Sequence, residues 1–211
     1  MTLSVDIVCF FCSYALALLL ELTGYWQRFR WRRLAPWLVA IGGITAHTWY
    51  LGQRVSEVPA APLSSPHDWY LAAAWMLAAV YLAATLYYPK PALGLFLLLA
   101  VMGLIGASYG ATTSSLATFE SPRFYGMAHG VLLMLGTVAV LCGFLAGVMY
   151  LVQSHRLKRK LPTDDRFALP SLEWLQRVNS GALGAALICV GLGFFTGVVS
   201  RLGQAGGSVP W

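Results

Sequence analysis

The sequence is poor in charged residues. Asp, Glu, Lys and Arg make up 10% of its 211 residues, whereas about a quarter is usual in soluble domains. The chain is 58% hydrophobic, and its mean hydropathy is +0.67. Its apolar runs are about 20 residues long, the length of a membrane-spanning helix and about twice that of a barrel strand. These features exclude an ordinary soluble domain and predict an all-α, multi-pass integral membrane protein.

The sequence also lacks the motifs of common enzymes. It contains no P-loop, no GxGxxG fingerprint and no recognisable nucleophile–base pattern, so we predict no catalytic activity. The net charge of +6 does not indicate nucleic-acid binding, because Lys and Arg in membrane proteins mainly set topology. The N-terminus lacks a basic n-region, so no cleavable signal peptide is expected. The cysteines all lie in apolar runs, where they usually act as small hydrophobes: Cys9, Cys12, Cys142 and Cys189.

Six apolar runs divide the chain, and they predict a bundle of six transmembrane helices in one domain, 1–211. A polar loop at 153–177 separates the last two runs. Within this loop, Ser171 is predicted to cap a helix that lies along the membrane surface before the sixth span. The predicted spans are 4–24, 34–52, 69–88, 92–110, 125–152 and 178–200.

The basic residues predict the orientation of these spans. Eleven of the 14 Lys and Arg residues fall in the gaps after the first, third and fifth spans. The other three are Arg54, Arg123 and Arg201. By the positive-inside rule, both termini face away from the cytoplasm and the 153–177 loop is cytoplasmic. We therefore predict a multi-pass protein of the bacterial cytoplasmic membrane, with the lipid bilayer as its surroundings.

Two histidines inside predicted spans are the strongest candidates for a site. His47 lies about 7 Å and His129 about 6 Å below the same outer boundary, at 1.5 Å per residue. Pro36, Ala40 and Gly43 share a helical stripe with His47. His129, Gly136 and Gly143 are spaced at seven-residue intervals and so share a second stripe. Small-residue stripes pack against protein, so both imidazoles are predicted to point into the bundle.

Matched depth, inward faces and nearby glycines are what a haem b with two axial imidazoles requires. His47 and His129 are therefore candidate axial ligands of haem iron. The residues alone also allow two interior histidines in interhelical hydrogen bonds, or a quinone or proton site. A third histidine, His67, is predicted to cap the third helix or to serve as an external ligand.

Other polar and small residues have simpler interpretations. Glu21 lies near the cytoplasmic end of the first span, where it can reach the interface or pair with nearby arginines. Three G-xxx-G pairs predict close helix approach: Gly106/Gly110, Gly143/Gly147 and Gly193/Gly197.

Several motifs resemble those of a known family. They are Met127-Ala-His129 before a long apolar helix, Tyr150-Leu151, His155-Arg-Leu-Lys-Arg-Lys160 and Leu169-Pro-Ser-Leu-Glu173. With the glycine-rich sixth span, they resemble the cytochrome c assembly family of haem-handling membrane proteins. The likeness is greatest to the HemX-like or YpjD-like branch, relatives of CcsA and ResC, and it is most specific from Phe124 to Gly197.

The resemblance implies a protein that binds, moves or presents haem during cytochrome c maturation or haem metabolism. Within it, His47 and His129 match positions where ligands are expected, and the partners would be other membrane proteins of a haem-handling or respiratory complex. The Trp-rich, Asp-containing outer loop of the full haem-handling proteins is lacking. The chain stops at Trp211, where family members continue with two further helices, so a truncated or reduced member is expected.

Two other functions remain open at this point. One is a haem-free scaffold or accessory subunit of a larger membrane complex, for which the glycine-rich faces and short loops are suitable. The other is an electron-transfer subunit between haem and quinone. That function normally needs histidines for a second haem in the inner leaflet, and no predicted span has a histidine in its inner half.

Overall fold

The computed structural model describes residues 6–23, 34–57, 65–88, 91–114, 123–160 and 169–204. The regular structure within these ranges is helical. The six helices are α1 (Ile7–Thr23), α2 (Leu34–Glu57), α3 (Pro66–Tyr87), α4 (Pro91–Ser108), α5 (Arg123–Lys158) and α6 (Leu172–Gln204). The prediction of an all-α fold is thereby confirmed for the described residues.

Each predicted span coincides with one helix. Three helical segments are long and apolar enough to cross a membrane: Pro66–Tyr87, Gly126–Lys158 and Leu172–Arg201. The helices Ile7–Thr23 and Ala92–Ser108 are also apolar but shorter. This part of the chain therefore has the character of a membrane protein.

The prediction of a separate surface helix before the sixth span is wrong. Helix α6 is continuous over 33 residues, or about 50 Å at 1.5 Å per residue, which exceeds the hydrocarbon core of about 30 Å. The predicted cap is confirmed, because the Ser171 hydroxyl accepts from the Trp174 amide at 3.3 Å. Helix α5 also extends beyond its predicted end, and its last turn holds His155, Arg156 and Lys158. Cations there are favourable to the negative end of the helix dipole.

Helix α3 begins at a complete capping motif. The Ser65 hydroxyl accepts from the Asp68 amide at 3.1 Å and donates to the Asp68 carboxylate at 2.7 Å. Pro66 occupies the first turn, where its missing N–H leaves no intrahelical bond unmade. Ser65 is therefore the cap of this helix, and the prediction that His67 caps it is wrong.

Helices α1 to α4 pack in a closed ring, in which each helix contacts the one before and the one after it. We call this ring the α1–α4 unit. Its core consists of side chains that are fully or almost fully buried, including Phe10, Tyr14, Leu71, Leu77 and Tyr81.

Helices α5 and α6 pack mainly against each other and form the α5–α6 hairpin. The hairpin contacts the ring through α3 and α5. Near one end of this contact, the Trp69 ring lies where a Cβ on Gly130 would be 3.5 Å from it. Beyond the other end of α3, helix α6 also contacts the ring, because the rings of Tyr88 and Trp174 lie 4.7 Å apart.

The hairpin exposes many large apolar side chains. On α6 alone, Leu187 is 76% and Phe194 is 71% exposed. An apolar surface of this extent requires lipid or another protein against it. The exposed apolar side chains of the hairpin are thus consistent with the membrane character of its two helices.

Candidate functional site

His47 lies in the interior of the α1–α4 unit and has no exposed surface. Its ring stacks on Phe10 of α1, with the centroids 4.1 Å apart and the planes 3° from parallel. Its Nδ1 lies 3.4 Å from the Tyr14 hydroxyl, and the backbone of Leu71 in α3 also lies against the imidazole. Three helices thus hold the ring in place.

The second ring nitrogen of His47 has no hydrogen-bond partner. Among the described residues, Nε2 is the one buried side-chain nitrogen or oxygen without such a partner. Leaving a buried polar atom unpaired costs about 1–3 kcal/mol. A buried polar atom in this state is usually explained by a ligand, a water molecule or local strain. It is therefore the strongest sign of a ligand in the α1–α4 unit.

The predicted stripe around His47 is confirmed. Pro36 and Ala40 are buried together with His47. A Cβ on Gly43 would lie 3.0 Å from the Tyr14 ring. The absence of a side chain at Gly43 thus lets Tyr14 approach α2 closely enough for its hydroxyl to reach His47, one helical turn further on.

His129 contacts the opposite helix of the hairpin. Its Nδ1 lies 2.7 Å from the Gly193 carbonyl oxygen of α6. A Cβ on Gly197 would lie 2.9 Å from both Nδ1 and Cε1 of the imidazole, closer than real Cβ contacts. We call His129, Gly193 and Gly197 the His129 site. The G-xxx-G pair therefore provides both an acceptor for the ring and the space that it fills.

A carbonyl oxygen accepts and never donates, so the Nδ1 of His129 must carry the proton. In the neutral ring, Nε2 then has a free lone pair. This is the arrangement of most metal-ligating histidines, whose other ring N–H is donated to a carbonyl, carboxylate or water. His47 differs, because the Tyr14 hydroxyl can either donate to Nδ1 or accept from it.

The structure places the two predicted ligands in different helix groups. His47 contacts α1 and α3, whereas His129 contacts α6. In the described ranges, no hydrogen bond or ring contact joins the two imidazoles, and no group of three or more His, Cys, Asp or Glu side chains is arranged to hold a metal ion. A pair of histidine ligands is smaller than such a group. This result therefore does not test His47 and His129, and the pair stays a prediction.

A second polar contact of the hairpin mirrors the His129 site. The Asn179 amide of α6 donates to the Gly143 carbonyl of α5 at 3.0 Å. A Cβ on Gly147 would lie 2.9 Å from the Asn179 amide nitrogen. We call these three residues the Asn179 site. Of the three predicted G-xxx-G pairs, two thus face a polar side chain, whereas a Cβ on Gly106 would meet nothing within 4 Å.

A carboxylate of α1 lies between α3 and α4. The Tyr81 hydroxyl donates to Oε1 of Glu21 at 3.1 Å, and a Cβ on Gly94 would lie 2.6 Å from that oxygen. Tyr81 and Gly94 are partners of Glu21 that the sequence did not reveal. The predicted arginine partners of Glu21, from Arg28 to Arg33, lie outside the described residues. A tyrosine in the apolar middle of α3 was the available signal.

Polar contacts join the C-terminal ends of α2 and α4 to the N-terminal end of α3. Arg54 pairs with Asp68 at 3.1 Å, and the Nδ1 of His67 donates to the Ser108 carbonyl at 2.8 Å. Asp68 and His67 are both buried. These bonds satisfy the polar groups of the cluster and hold the start of α3 against its neighbours.

Comparison with protein-family models, curated proteins and solved structures gives no match to this chain.

Proposed function

We propose that this chain is a six-span protein of the bacterial cytoplasmic membrane with both termini on the outer side. The three long apolar helices support this topology. The shorter helices α1 and α4 have 17 and 18 residues, close to the span length of about 20. Because the basic residues alternate across the gaps, the segment between α5 and α6 is cytoplasmic in this proposal.

Within this topology, the proposed function is haem binding in support of haem handling or cytochrome c maturation, with His47 and His129 as axial ligands. The observation that carries it is the buried, unpartnered Nε2 of His47. His129 adds a second support, since its Nδ1 is engaged by the Gly193 carbonyl. The Nε2 of His129 therefore carries the lone pair, and the Nε2 of His47 carries one when its Nδ1 donates to the Tyr14 hydroxyl. Nε2 is the nitrogen that usually binds haem iron.

The residues fit haem in their donor chemistry. When bound, the haem would supply an iron that changes oxidation state and exchanges ligands. The chain's own contribution is to orient and shield the ligands. Phe10 covers one face of His47, Tyr14 contacts its Nδ1, and Gly197 makes room for His129. The proposed partners are other membrane proteins of a haem-handling or respiratory complex.

An absorption spectrum tests the proposal. We expect the purified protein, or the protein reconstituted with haemin, to show the Soret and α bands of a low-spin bis-histidine haem. The bands should be lost in His47→Leu, which largely fills the volume of the ring, and in His129→Asn, which keeps a donor for Gly193. His155→Ala, at an exposed position of α5, is the matched control. A folded wild-type protein that stays colourless after reconstitution would contradict the proposal.

A haem-free scaffold of a larger membrane complex is the second candidate. The Asn179 site favours it, because there a side chain without a free ring nitrogen makes the same kind of bond to a backbone carbonyl. If His129 served packing alone, His129→Asn would retain function and the protein would co-purify with a haem-free partner. The same variant therefore separates the two candidates.

A further inference from the structure

The α5–α6 hairpin uses the same contact twice, once in each direction. His129 of α5 bonds the Gly193 carbonyl of α6, and Asn179 of α6 bonds the Gly143 carbonyl of α5. In each case the glycine four residues after the acceptor would place a Cβ 2.9 Å from the donor side chain. The two sites are thus built alike from one side chain and one G-xxx-G pair.

This likeness shows what the hairpin contact itself requires. A single N–H donor of the length of Asn is sufficient to bond the carbonyl over a glycine. The Nδ1 of histidine and the amide nitrogen of asparagine lie at nearly the same distance from the backbone, so either residue meets that requirement. An imidazole brings one further group, the Nε2 lone pair, which has no hydrogen-bond partner among the described residues.

We propose that Gly193 and Gly197 are positioning residues for His129. They fix its ring as the Nδ1–H tautomer and direct its Nε2 toward a metal ion, such as the iron of a bound haem. This inference rests on the proposed function and adds the two glycines to it. The Gly193 carbonyl selects the tautomer, because it can only accept. Gly197 sets the ring position, because any side chain there would occupy the space of Nδ1 and Cε1.

The inference predicts a specific effect of Gly197→Ala. The added methyl group must push the imidazole away from the Gly193 carbonyl, so the tautomer is no longer selected and Nε2 changes direction. Loss of such supporting contacts typically weakens metal binding by about 10–100-fold. Gly191→Ala is the matched control on the same helix, because a Cβ at that position would meet nothing within 4 Å.

Two measurements test the inference. The first is nitrogen NMR of the haem-free protein labelled with ¹⁵N in the histidine rings, with His129→Asn used to assign the signal. We expect the His129 signal of a neutral Nδ1–H ring in the wild type and in Gly191→Ala, and a tautomer mixture in Gly197→Ala. The second is haemin titration followed by absorbance and electron paramagnetic resonance. There we expect at least tenfold weaker binding and an altered low-spin signal in Gly197→Ala.

The outcomes separate this inference from the proposed function. An Nε2–H tautomer in the wild type would overturn the inference, and so would haemin binding by Gly197→Ala equal to that of Gly191→Ala. The proposed function would survive either result. Failure of the wild type to bind haemin would instead overturn the proposed function. That result comes from the haemin titration, whereas the tautomer is measured in the haem-free protein. Circular dichroism and the melting temperature of Gly197→Ala establish that the variant is folded.

Discussion

The α1–α4 unit and the α5–α6 hairpin hold their polar side chains in different ways. In the core of the ring, side chains contact side chains, as Tyr14 does with His47 and Tyr81 with Glu21. The bond from His67 to the Ser108 carbonyl lies where α3 begins and α4 ends. In the hairpin, a side chain of each helix bonds a backbone carbonyl of the other over a glycine. A ring of four helices encloses enough volume to bury large side chains, whereas two helices can bury polar groups only where the backbones lie close together.

This difference predicts where each region is most sensitive. The ring should depend on the volume of its buried side chains. The hairpin should depend on the absence of side chains at a few glycines. Three substitutions test these expectations in order of decreasing effect.

The largest effect is expected for Phe10→Ala in the ring. Phe10 is fully buried, and its removal leaves a cavity beside His47. Phe→Ala costs about 3–5 kcal/mol in water-soluble cores. In the proposed membrane topology the loss should lie toward the lower end of this range, because separated helices would remain in apolar lipid. The free energy of unfolding in mixed micelles measures it. Phe195→Ala, at a residue that is 65% exposed, is the control, and equal losses in both variants would contradict the volume argument.

A smaller effect is expected for Gly147→Ala in the hairpin. Its Cβ would lie 2.9 Å from the Asn179 amide nitrogen, and overpacking of this kind typically costs about 1–3 kcal/mol. Gly184→Ala is the matched control, because a Cβ there would meet nothing within 4 Å. The control should be neutral or gain up to about 1 kcal/mol from the better helix propensity of alanine. We expect the melting temperature to fall in Gly147→Ala and to stay the same or rise in Gly184→Ala. An equal fall in both variants would contradict a close approach of the helices at Gly147.

The smallest effect is expected for Asn179→Ala, which removes the amide and retains both glycines. Interhelical hydrogen bonds in membranes contribute about 0.6 kcal/mol on average and up to about 1.7 kcal/mol. A double-mutant cycle with Gly147→Ala measures the coupling, since the clash exists only when both the methyl group and the amide are present. Additive losses would indicate that Gly147 and Asn179 do not contact each other.

Much of the candidate site was predictable as faces of helices. The spacing of Pro36, Ala40, Gly43 and His47 indicated a buried stripe, which the structure confirms. The G-xxx-G pairs at Gly143 and Gly193 indicated close packing, also confirmed. In contrast, Phe10 and Tyr14 as neighbours of His47, and Asn179 as the counterpart of His129, were not predicted. Helical periodicity shows which residues share a face but not which helix lies against that face.

The sequence by itself determined the apolar, helical character of the protein, the approximate bounds of the helices in the described residues, and the cap at Ser171. These follow from run length, hydropathy and local hydrogen bonding, all of which act within a few residues along the chain. The tertiary structure decided that α1 to α4 close into a ring and that α5 and α6 pair separately. It also decided that His47 and His129 belong to different groups of helices, because contacts between helices depend on packing across the chain, where apolar surfaces of similar composition compete as partners.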